Sequence, residues 1–100
     1  MEGKVTVVAF HRTNPGKEHA LRGALLAVCK PTRAEKGCIN YDLHESLDQP
    51  GVLVFLENWE SKANLEAHLA SPHIDDFRAI APDLLAEPSD ITLWREIERA

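Results

Sequence analysis

His68 and His73 follow Trp59 in the run Trp59-Glu60-Ser61, then Leu65 and His68-Leu69, then Ser71-Pro72-His73, which sets one indole and two imidazoles around a single strand-to-helix junction. These side chains suit proton transfer with an aromatic ligand, because imidazole titrates near neutral pH and indole offers a flat apolar wall. Ser61 has the chemistry of an N-cap, so a helix opens at Lys62 and Trp59 ends the strand before it. On that helix Leu65 and Leu69 lie one turn apart, and His68 sits beside Leu69 at the edge of the same apolar stripe. His68 therefore points inward or along the boundary. Ser71-Pro72 reads as a second cap with proline at the first helical position, which puts His73 in the first turn, at the positive end of the helix dipole. Singly, such a histidine is more often a hydrogen-bonded structural residue and such a tryptophan more often core. Their clustering singles them out. A proline separates the two histidines, they lack the i, i+4 spacing that puts two ligands on one helical face, and no third ligand is evident, so no metal is expected.

The elements that must position them are legible as hydrophobic periods. Lys4 to His11 (KVTVVAFH) is an apolar strand closed by the Asn14-Pro15-Gly16 turn. From Lys17 to about Glu35, Leu21, Ala24, Leu25 and Val28 recur at helical spacing, with Pro31 expected to kink the helix or make it restart near Thr32. Lys36-Gly37 ends it. Cys38 to Ser46 (CINYDLHES) alternates, with Ile39, Tyr41 and Leu43 on one face and Asn40, Asp42 and His44 on the other. Asp48-Gln49-Pro50-Gly51 is a tight turn, and Val52 to Trp59 (VLVFLENW) the returning strand of a hairpin. Two helical segments from Lys62 to about Leu85 are expected to bury Leu65, Leu69, Ile74, Phe77, Ile80 and Leu84, before a last strand from Asp90 to Ile97.

The order β-α-β-β-α-β predicts an α+β, ferredoxin-like fold with a four-stranded antiparallel sheet and helices on one face. The first and third strands are apolar on both sides, so the other face needs a cover, and a homodimer joined sheet to sheet is inferred. The expected ligand pocket lies between that face and the last helices.

One hundred residues, 44% of them hydrophobic and 27% charged, suit a single soluble domain. A net charge of -5 without a Lys/Arg cluster argues against nucleic acid as a partner. No apolar run approaches a bilayer span, and Met1-Glu2-Gly3-Lys4 leads into a strand rather than a signal peptide, so no membrane contact and a cytoplasmic location are expected. Cys29 and Cys38 fall on different elements and read as two reduced thiols. Asp83, Glu87 and Arg95 read as solvated surface charges.

The segments Gly37 to Ser46, Glu57-Asn58-Trp59-Glu60-Ser61, Leu65-Glu66-Ala67-His68-Leu69 and Ser71-Pro72-His73 strongly resemble the antibiotic biosynthesis monooxygenase superfamily, in particular its small quinol monooxygenase branch. The resemblance runs from about Val5 to Leu93. It implies a dimeric α+β barrel that oxidises a phenolic or quinol substrate with O₂ and no flavin, haem or metal, in keeping with the lack of a Gly-rich dinucleotide motif. Where haem-degrading relatives carry a tryptophan and a haem-ligating histidine, this chain has His68 and Arg78, so no cofactor is expected. The histidine pair also resembles an isomerase branch that acts on small sugar-like signals, which leaves proton transfer without O₂, or ligand binding without catalysis, as alternatives. For the oxygenase, His68 or His73 is the candidate base and Trp59, Phe55, Phe77 and Leu65 are candidate walls, with Tyr41 and His44 as further pocket candidates.

Overall fold

The structure, a computed structural model, describes residues 3–98; Met1 and Glu2, which lead into the first expected strand, lie outside the described residues. Its elements run β1 (Val5–Arg12), α1 (Glu18–Arg33), β2 (Cys38–Glu45), β3 (Val52–Trp59), α2 (Lys62–Leu69), α3 (Pro72–Leu84) and β4 (Asp90–Trp94). The strands form one antiparallel sheet in the order β2-β3-β1-β4, the expected ferredoxin-like arrangement. β1 pairs Val7 with Glu57, Ala9 with Phe55 and His11 with Leu53, and these residues face the helices. Leu21, Leu25, Val28 and Cys29 of α1 cover that face, and Leu65, Leu84 and Leu85 close the same core.

Four local expectations need correction. Pro31 does not interrupt α1, which runs on to Arg33, because the proline stands in the last turn and the carbonyls of Pro31 and Thr32 still accept from Ala34 and Glu35. The alternation of β2 breaks at Ile39, where a bulge between Cys38 and Asn40 leaves Ile39 47% exposed and moves Cys38 to the side of Tyr41 and Leu43. Ile80 is exposed, since α3 packs as an outer layer along α1 and turns only part of its apolar surface inward. The last strand is also shorter than expected and ends at Trp94, which leaves Arg95 as an exposed charge beyond it.

One glycine turn and one helix cap set the site. Gly37, at a φ of 82°, turns the chain from α1 into β2, and an added Cβ there would collide with the Asn64 side chain. The Gly37 carbonyl accepts from Glu60 N–H at 2.8 Å, and Ser61 Oγ caps α2 by accepting from Asn64 N–H at 3.1 Å. The end of α1 is thereby held against the start of α2.

Candidate active site

That apposition brings Glu35 to both histidines. His68 Nδ1 lies 2.7 Å from Glu35 Oε2, and His73 Nε2 lies 2.8 Å from the same oxygen. Ser71 does not cap α3 with its side chain; its hydroxyl donates to the His68 carbonyl at 2.6 Å and stands 3.2 Å from His73 Nε2. Glu35 is thus the third member that the local sequence pattern does not reveal. The donor atoms of Glu35, His68 and His73 all lie within 4.8 Å of one another, so a cation could be held there, although both rings now spend their facing nitrogens on the carboxylate.

His68 is 2% exposed and tilted over the Trp59 indole at 4.7 Å, with Tyr41 at its edge 5.3 Å away. Burial pulls its pKa below the ordinary value, and the hydrogen bond to Glu35 opposes that pull. A carboxylate accepting from Nδ1–H fixes the tautomer whose Nε2 carries the free lone pair. The ring is therefore a neutral imidazole whose Nε2 makes no hydrogen bond among the described residues.

A cavity of about 550 Å³ opens between the sheet and α2–α3, and His68, Tyr41, Phe55, Phe77 and Leu65 line it. It lies on the helix-covered side of the sheet, contrary to the expected place on the outer face, because α2 and α3 do not fill the space above Val7 and Ala9. Tyr41 stacks on Phe55 at 4.2 Å, which makes an aromatic floor, and burial raises the Tyr41 pKa, so its hydroxyl stays protonated. His73 and Trp59 do not line the cavity: both stand behind His68. His44 is exposed on the other side of β2, with Nδ1 3.1 Å from the Asp42 carbonyl.

Two buried titratable residues of the lining have no counterpart among the sequence candidates. Glu57, 3% exposed, accepts from Trp59 Nε1–H at 2.9 Å, and burial pushes its carboxyl up to about 7. His11, 5% exposed, places Nδ1 2.8 Å from Ser89 Oγ. Both were open to detection, since a period of two puts Glu57 between Phe55 and Trp59, and His11 in line with Val7 and Ala9. Glu87, read as plain surface, stands at the cavity rim and pairs with Arg12 at 2.9 Å. Among the described residues no helix is long and apolar enough to cross a membrane.

The antibiotic biosynthesis monooxygenase family matches residues 4–80. The chain is 40% identical to "Putative monooxygenase Rv0793" of Mycobacterium tuberculosis over 100 residues, 100% of this chain and 98% of that protein. The solved structure of Rv0793 superposes with a TM-score of 0.90 over 97% of this chain and 98% of that one. PA3566 from Pseudomonas aeruginosa superposes with a TM-score of 0.91 at 31% identity, covering 98% of each chain. "Probable quinol monooxygenase YgiN" of Escherichia coli is 34% identical over 92 residues, 81% of this chain and 88% of that protein. The chain belongs to the antibiotic biosynthesis monooxygenase family, which together with these names supports monooxygenase, and so oxidoreductase, chemistry.

Proposed function

We propose that this protein is a cofactor-independent monooxygenase that oxidises a small phenolic or quinol substrate with O₂, and that His68 is its base. The observation that carries the reading is the Glu35–His68 pair at 2.7 Å, with the buried imidazole facing an aromatic cavity. A phenol bound against Tyr41 and Phe55 gives its proton to His68 Nε2, and the Glu35 carboxylate stabilises the imidazolium that forms. The electron-rich phenolate then reduces O₂ and bonds to it through a ring carbon. The His68 imidazolium returns its proton to the peroxide so formed, and loss of water, which also takes the hydrogen of that ring carbon, leaves a quinone. One oxygen atom stays as the new carbonyl, the other leaves as water, and the substrate supplies every electron. Below its pKa of about 7, Glu57 adds a neutral carboxyl as donor, without the charge that would repel the phenolate once it ionises. The apolar walls keep bulk water from the intermediate.

Within the same reading the active form is a homodimer. The outward sheet face presents Val8 and Phe10 of β1 beside Leu56 of β3, with Trp94 of β4 59% exposed, a surface that a second copy would cover. Light scattering after size exclusion is expected to give twice the chain mass, and Trp94→Glu to shift it toward the monomer.

The test of function is O₂ uptake with a panel of phenols and quinols, after exhaustive chelation. Uptake matched by quinone formation, unchanged by the chelator, supports the reading. Uptake that requires an added metal would assign the Glu35, His68 and His73 donors to a cation instead. No uptake, with solvent deuterium entering a carbonyl compound, would move the site to isomerase chemistry.

A further inference from the structure

His11 is buried at the opposite end of the cavity from His68, and its Nε2 has no hydrogen-bond partner among the described residues. A buried polar atom left unpaired is costly, and a ligand atom that satisfies it recovers that cost on binding. The rest of the ring is fixed: Nδ1 faces Ser89 Oγ at 2.8 Å, and the edges meet Phe55 and Phe77 at 6.0 and 5.9 Å. Burial holds its pKa down to about 4, so near neutral pH it offers a neutral nitrogen. If Nδ1–H donates to Ser89, Nε2 accepts from a hydroxyl; if Ser89 donates, Nε2–H donates to a carbonyl. Along β1, Val7 pairs with Glu57 and His11 stands four residues further on, so at a rise of ~3.4 Å per residue the two ends of the floor are about 14 Å apart. Between them the pair from β1 and β3 is Ala9 and Phe55, which offer no polar side-chain atom.

We propose that His11 and Ser89 form a second recognition pole, which takes a neutral hydroxyl or carbonyl oxygen of the substrate remote from the hydroxyl that His68 deprotonates. The proposal rests on the cavity being the substrate site. It makes His11 a specificity-determining residue: substrates with oxygens at both ends are preferred over those with one.

Calorimetric binding of a naphthalenediol with one hydroxyl on each ring, and of its mono-hydroxylated counterpart, tests this with wild type, His11→Phe and His11→Gln. The wild type is expected to bind the diol about tenfold more tightly, the worth of one well-placed hydrogen bond. His11→Phe keeps the aromatic edges and should abolish the preference while binding the mono-hydroxylated compound within about twofold of wild type. His11→Gln should restore part of the preference. Equal binding of the two compounds by wild type, or equal weakening of both by His11→Phe, would overturn the pole. Binding of neither by wild type would overturn both the pole and the cavity as the substrate site. A preserved diol preference without O₂ uptake by any phenol would overturn only the oxygenase chemistry.

Discussion

Two buried imidazoles meet the same cavity and differ in the partner at Nδ1. His68 has a carboxylate on Nδ1, and His11 has a hydroxyl. Burial lowers the pKa of both, with His73 and Arg78 adding to it for His68, and it makes each a poor host for a proton. Glu35 changes that for His68, because the carboxylate stabilises the imidazolium whenever a substrate proton arrives. Ser89 carries no charge and gives His11 no such support. The comparison separates a base from a hydrogen-bonding anchor by electrostatics rather than by residue type.

The contrast breaks most strongly if Glu35 is neutralised. Glu35→Gln should lower kcat about a hundredfold with the fold intact, since His68 loses its tautomer control and its counter-charge. The pH profile sharpens it further. His68 must be neutral to act, so kcat/KM should fall about tenfold per unit below its lowered pKa, with the bend under 6.5, and should decline again above about 7 as Glu57 ionises. In Glu35→Gln the raising contribution is gone, so the bend should move to lower pH even though the rate is smaller. Structural support for the pair should read out at Gly37. Gly37→Ala forces a side chain onto a φ of 82° and into Asn64, and chemical denaturation should show a loss of about 1–3 kcal/mol.

The smallest effect belongs to His11. Its pKa falls from 6.5 in the unfolded chain to about 4 in the fold, so the unfolded state gains a proton first as pH drops. This contribution to stability is fully present above 6.5 and is lost as pH falls toward 4. The melting temperature of His11→Phe should therefore decline less than that of wild type over that window. An identical decline would mean that His11 is not neutral in the fold.

Much of this frame was legible in the chain, because each strand and helix carries its own period and caps. Ser61 caps α2 by the local rule, and Val52–Trp59 is a strand by pattern alone. The period of two also places Glu57 and His11 inward, but a polar residue in an apolar run reads equally as a strand end turning to solvent. Glu35 was not legible. It meets His68 and His73 across 33 and 38 residues, through a glycine turn and a docked helix end that no local window contains. Ile39 was misplaced for a similar reason, since a bulge depends on the neighbouring strand and not on the residues of β2.

Oxygen uptake by wild type, His68→Ala and His73→Ala, measured on one phenol that turns over, tests the central assignment most directly. The account predicts a loss of at least about a hundredfold in His68→Ala and a few-fold loss in His73→Ala, which stands behind the base and away from the cavity. A His68→Ala protein that keeps its rate while His73→Ala loses it would contradict the account.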